Sequence, residues 1–177
     1  DARDFDDAVW AESNDNGWLV RIAISDVTEY VRPNSALDKA ARTRGNSIYF
    51  PDQVVPMLPE DLSNQICSLE EGKDRACIVL EINLNSRGKV LSHVFKRALI
   101  RSERRFSYEE AQKIHDHGGN SQEESLLKPL WGAYYALAQN RRDSEPLEIE
   151  TSEPQFQLDS NGHVVGVHSR PHLEAHK

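Results

Sequence analysis

The sequence predicts an α+β fold, with antiparallel β-hairpins forming a mixed sheet and several helices beside it. Tight-turn signals separate apolar-rich arms at Asn14-Asp15-Asn16-Gly17, Asn85-Ser86-Arg87-Gly88 and Asp159-Ser160-Asn161-Gly162, each the mark of a hairpin. Ser35 and Ser107 stand where cap residues open helical stretches. A long amphipathic stretch follows the break at Gly118-Gly119-Asn120.

A length of 177 residues sets the scale at one domain or a piece of one. Net charge of −8 excludes a uniformly basic nucleic-acid coat, but not a local basic groove, because phosphate binding follows clustered charge. Cys67 and Cys77 lack zinc spacing and are too few for a disulfide framework, so they read as reduced core thiols in a cytoplasmic protein. There is no apolar run of membrane-spanning length and no signal-peptide pattern. The charged start without Met and the end at His176-Lys177 without a stop signal make an excised part of a longer chain the expectation.

In chain order, Asp1, Asp4, Asp6 and Asp7 open the sequence. Carboxylates this close raise one another's pKa unless a cation is supplied, and a hard divalent metal suits oxygen ligands. In an extended segment Asp4 and Asp6 share a face and Asp7 takes the other, so convergence of all three needs a bend after Asp6. The spacing does not fit an EF-hand loop, and a solvated acidic terminus is the alternative.

Ala8 to Glu12 and Trp18 to Ile24 form the first hairpin, and Asp26 beyond it either supports a metal site or caps a turn. A helix over Ala36 to Arg44 follows, capped by Ser35 and stopped by Gly45. Ser47 to Phe50 reads as a strand ended by Pro51, and Glu60 to Asn64 as one or two helical turns. Arg75 to Asn83 and Lys89 to Arg101 make the second hairpin. Its basic stretch holds Arg87, Lys89, Lys96, Arg97, Arg101, Arg104 and Arg105 against Glu103 alone. That is either a salt-bridged strand face or a polyanion track, in which Arg101, Arg104 and Arg105 contact RNA.

Ser107 and Glu110 form a capping box for a helix to His117, on which His115 and His117 splay apart as surface residues rather than a metal pair. Ser121 to Arg142 is the longer helix, with Leu126, Leu127, Leu130, Tyr134, Leu137 and Ala138 on one stripe and Pro129 as a kink site. A short strand is expected at Leu147 to Ile149, then a third hairpin over Pro154 to Leu158 and His163 to His168.

Several blocks together resemble one family: Asp1 to Ala8, Ile24-Ser25-Asp26-Val27 with Tyr30-Val31, Arg44 to Pro51, Pro56 to Asn64, Cys67-Ser68-Leu69, Ile100-Arg101-Ser102 and Tyr108-Glu109-Glu110. Their order and spacing resemble the catalytic RNB domain of the ribonuclease R and ribonuclease II family. The resemblance implies a partial RNB domain without the flanking RNA-binding barrels. It implies a parent protein that hydrolyses single-stranded RNA processively from the 3′ end, releases nucleoside 5′-monophosphates and does not take DNA. It implies magnesium in a two-metal mechanism, with Asp4, Asp6 and Asp7 as metal ligands and Asp6 the most critical for catalysis. Asp1 is then a bystander, because the family's first aspartate falls just before it. Tyr49 resembles an aromatic that stacks on bases, and Tyr108 one beside the terminal nucleotides. The family's catalytic arginine and long helices lie further along, which leaves the chain alone inactive or weak and an apolar face exposed or covered by a second chain. A degenerate RNB module that binds RNA or acts as a scaffold, and a different metal-dependent nuclease, are the competing readings.

Overall fold

The computed structural model describes residues 4–51, 53–143, 154–169 and 173–176. Asp1 and the expected strand at Leu147 to Ile149 lie outside them. The first hairpin pairs β1 (Asp7–Asn14) with β2 (Gly17–Ser25), and Asn14 and Gly17 face each other across its turn. After α1 (Ala36–Arg44) a small ladder joins β3 (Ile48–Tyr49) to β4 (Val54–Val55). The second hairpin pairs β5 (Asp74–Asn85) with β6 (Val90–Arg101). α2 (Tyr108–His117) and α3 (Ser121–Arg142) follow, then the third hairpin of β7 (Pro154–Leu158) and β8 (Val164–Ser169).

The first two hairpins merge into one four-stranded antiparallel sheet in the order β1-β2-β5-β6. β2 and β5 make the join, in a register that runs from Gly17 opposite Asn85 to Ser25 opposite Cys77. Among the described residues the sole parallel pairing recorded outside the strands is a bridge of Glu71 with Ser102.

Because strand side chains alternate, this register sorts the apolar residues into two cores on opposite faces. One face brings Ala11, Val20 and Leu84, with Trp18, Ile22 and Ile82, against Ala133 and Leu130 of α3. The other gathers Ala23, Cys77 and Val79 with Ala8, Ala98 and Ile100, and closes over Phe5 and Leu69. α3 covers only part of the first face. Val9, Ile24, Ile78, Phe95 and Leu99 remain exposed, with Phe95 at 66% and Leu99 at 69%.

The helices start where their caps predict. Ser35 accepts from the Asp38 amide, Ser107 and Glu110 complete a capping box, and Asn120 with Glu123 makes a second box that opens α3. α3 runs continuously through Pro129. The strand expected over Ser47 to Phe50 shrinks to β3, since the Phe50 amide turns to the Gln53 carbonyl at 2.8 Å and starts the reversal to β4. The helical turns expected over Glu60 to Asn64 form and continue as a π-helical turn at Leu62–Ile66, with Leu62 buried and the Cys67 amide bonded back to the Leu62 carbonyl.

Candidate active site

The site is built on the short lead-in to β1. Phe5 donates its amide to the Ser68 hydroxyl at 3.1 Å, and its carbonyl accepts from the Leu69 amide at 2.9 Å. On the opposite edge the Asp6 carbonyl accepts from the Ser25 amide at 2.9 Å. The Ser25 hydroxyl reaches across to the Cys67 carbonyl at 2.6 Å. The strand that carries Asp4, Asp6 and Asp7 is therefore held from both sides, by the end of β2 and by the segment after the π-helical turn.

Arg75 locks that segment. Its Nε donates to the Ser68 carbonyl at 2.7 Å and its Nη2 to the Gln65 carbonyl at 2.8 Å. In the Ser25 and Ser68 bonds the partners lie 42 and 63 positions apart, so periodicity and capping do not show that these residues brace the site, although Ser25 and Ser68 both sit in blocks that carry the family resemblance.

Asp6 is the electrostatic centre. Partial burial first, then the charges of Asp4 and Asp7, push its carboxyl above the usual 3.8, and among the described residues no basic side chain acts on it in the other direction. Tyr49 reaches in from β3 and donates its hydroxyl to Asp4 Oδ2 at 3.3 Å. The Asp4 charge, then desolvation, raise the Tyr49 phenol, and Asp6 adds to the effect. Burial raises the Cys67 thiol, with Asp6 contributing, and pushes Cys77 up to about 11.

Among the described residues no set of three His, Cys, Asp or Glu side chains is gathered as a ready metal cage. Asp4 and Asp7 both act on Asp6, Asp4 the more strongly, with Asp7 at the start of β1. That donor chemistry still fits magnesium, which keeps most of its water and takes one or two carboxylates plus substrate phosphate rather than a full protein cage.

The other residues marked by the sequence go to different places. Asp26, only 3% exposed, caps the turn at Val27–Glu29 and pairs with Arg97 Nε at 3.0 Å, so it is a turn cap. Tyr108 opens α2, half exposed, with its ring centroid 4.5 Å from that of His176. In the basic stretch Lys96 pairs with Glu81, Arg97 with Asp26 and Arg101 with Asp74, while Arg104 lies 3.8 Å from Glu123. Arg105 behaves differently: its guanidinium lies 4.5 Å from the centroid of the Phe5 ring, on the strand between Asp4 and Asp6.

His115, read from the sequence as a surface residue, is partly covered. Its ring packs 4.2 Å from Trp131, its Nε2 is 2.8 Å from the Tyr135 hydroxyl and its Nδ1 meets Asp116, because α3 folds back against α2.

Comparison with known proteins places this geometry. The family model described as the RNB domain matches residues 1–177. The chain belongs to the RNB domain family. Ribonuclease R of Vibrio parahaemolyticus is 42% identical over the whole of this RNB chain, which spans 22% of that relative's length. The structure of Mycoplasma genitalium RNase R in complex with ribose-methylated single-stranded RNA matches 99% of the chain with a TM-score of 0.90 at 30% identity, and the chain covers 28% of it. Yeast Ssd1, described as a pseudonuclease, matches 74% of the chain with a TM-score of 0.64 at 22% identity, the chain covering 16% of it. A fold by itself does not decide activity, which lies in the residues of the site. No helix among the described residues is long and apolar enough to cross a membrane.

Proposed function

We propose that the protein carrying this RNB chain is a magnesium-dependent, hydrolytic 3′-to-5′ exoribonuclease acting on single-stranded RNA in the cytoplasm and releasing nucleoside 5′-monophosphates. The observation that carries the reading is the acidic cluster around Asp6: its carboxyl is raised by burial and by Asp4 and Asp7, with no basic side chain among the described groups that shift it. A site short of positive charge is matched by a cation and a phosphodiester brought to it together.

Asp4, Asp6 and Asp7 are the residues that hold magnesium, and Asp6, nearest the centre of the charge, is the one whose loss removes most. The bound metal supplies charge stabilisation of the attacking and leaving oxygens and an acidified water. The Ser25, Ser68 and Leu69 bonds fix the strand so that the carboxylates need not reorganise. Tyr49 offers an exposed ring to a base beside the cation site, and Tyr108 a second ring further along; stacking tolerates any base, as an exonuclease requires. Arg105 adds phosphate attraction, and Arg101 and Arg104 add it to the degree that their acidic partners release them.

The full-length protein with Asp6→Asn tests this against a 5′-labelled single-stranded RNA and its deoxyribose counterpart. Expected are stepwise shortening of the RNA by the unaltered protein, none of the DNA, dependence on magnesium, and a loss on the order of a hundredfold or more in the variant. Unchanged hydrolysis in Asp6→Asn, or internal cuts in place of stepwise shortening, would overturn the reading. Binding of RNA without hydrolysis by the unaltered protein would make the chain an RNB module of the pseudonuclease kind.

A further inference from the structure

Tyr49 does two things at once in this geometry. Its side chain is 67% exposed, leaving ring surface open to solvent, while its hydroxyl donates to Asp4 Oδ2 at 3.3 Å. The backbone behind it is anchored: the Phe50 amide bonds to the Gln53 carbonyl, the Ser47 hydroxyl accepts from the Met57 amide at 2.9 Å, and Arg44 of α1 holds the Pro56 carbonyl at 3.0 Å. With its backbone set by β3 and its phenol oxygen tied to Asp4, the ring retains little freedom in either of its side-chain torsions.

We propose that Tyr49 is a positioning residue that couples the two ligands of the site: its hydroxyl orients the Asp4 carboxylate for a divalent cation, and a base stacked on its ring strengthens that orientation. The inference rests on the cation reading above and deepens it. A base packed on the ring narrows the ring's motion, which holds the hydroxyl over Oδ2 and keeps Oδ1 aimed at the cation. Linkage then requires the reverse as well, so that a cation on Asp4 orders the ring for the next base. One phenol oxygen carries the coupling, whereas stacking itself needs only the ring. For an enzyme that shortens RNA stepwise, such coupling assembles the metal site only when a nucleotide is in place.

The test uses the full-length protein, Mn2+ as a spin probe for the cation site, and a hydrolysis-resistant ribose-methylated single-stranded oligonucleotide. Mn2+ affinity is measured with and without saturating oligonucleotide, and oligonucleotide affinity is measured in EDTA. In the unaltered protein the oligonucleotide is expected to tighten Mn2+ binding through its phosphate as a metal ligand and, by a further factor of roughly two to ten, through the Tyr49 hydroxyl. In Tyr49→Phe, oligonucleotide affinity in EDTA stays within about twofold, since the ring remains, while the tightening of Mn2+ falls by roughly two- to tenfold, to what the oligonucleotide's own phosphate supplies as a metal ligand. In Tyr49→Ala the ring's share of oligonucleotide affinity is lost as well. Tightening undiminished in Tyr49→Phe overturns the proposal and leaves the cation reading standing, whereas an unaltered protein whose Mn2+ affinity ignores the oligonucleotide overturns both, because the phosphate then adds nothing to the cation. Absence of any Mn2+ binding overturns the two together.

Discussion

The buried hydroxyl of Ser68, with Ser68 itself at 0% exposure, accepts the amide hydrogen of Phe5 from 63 residues away and so fixes the backbone between Asp4 and Asp6. A single side-chain oxygen thus links the interior of the molecule to its acidic strand. Ser68→Ala strands that amide and is expected to cost about 1 to 3 kcal/mol. Chemical denaturation measures it. A fall in RNA hydrolysis larger than the stability loss explains is expected too, because the displaced strand carries Asp4 and Asp6. Equal stability in the variant would show that the bond does not brace the strand.

Arg75 extends the same brace. It holds the carbonyls of Ser68 and Gln65, and its side chain is largely buried at 16% exposure. Arg75→Lys keeps the charge but not the fork that reaches both carbonyls. Reduced hydrolysis with near-normal RNA affinity is the expected result, read as kcat falling while KM holds. A variant that changes only KM would place Arg75 in binding instead.

Asp6 gives a pH dependence with a defined sign. Its folded carboxyl is raised above 3.8, so the folded state holds this proton more tightly than the unfolded chain does. The associated stability is complete below about pH 3.8 and is lost as pH rises through the higher folded value. At neutral pH without magnesium, Asp6→Asn is therefore expected to be more stable than the unaltered protein, with the advantage vanishing in acid. Melting curves from pH 3 to 8 in EDTA check this. A less stable Asn variant at neutral pH contradicts it.

Arg105 and Arg101 separate a held cation from an available one. Arg101 binds both oxygens of Asp74 at 2.7 Å, whereas Arg105 rests on Phe5 with no ion pair recorded among the described residues. Arg105→Gln should lower the salt slope of RNA binding by about one, and Arg101→Gln by less. Equal slopes for both variants would remove the distinction.

Gly88 tests how α3 sits on the second hairpin. Its φ is +72°, and a Cβ there would run into the backbone of Ala136 in α3. Gly45 has φ of +81° but open space around it. Gly88→Ala is expected to cost roughly 3 kcal/mol or more and Gly45→Ala about 1 kcal/mol, read as melting temperatures. Similar losses at the two positions would mean that the helix yields.

Local chemistry made much of the fold legible. Hairpin turns at Gly17 and Gly88, the caps at Ser35 and Ser107, and the extents of α2 and α3 follow from short-range propensities, and the structure carries them out. The family too was readable, since the blocks that resemble RNB are contiguous residues. Less was legible where partners lie far apart. Nothing around Ser47 showed that its strand would shorten to Ile48–Tyr49, and nothing around His115 showed that Trp131 would cover it.

The sequence by itself determined the acidic character of the strand from Asp4 to Asp7, because like charges packed so closely repel wherever they are placed. Only the tertiary structure decided which of those charges is strained and by what. It placed Asp6 at the focus, set Tyr49 on Asp4, turned Asp26 away to Arg97 and engaged most of the basic strand with acids. The physical reason is range: periodicity and capping act within a few residues, whereas burial and charge pairing depend on neighbours that only folding brings within a few ångströms.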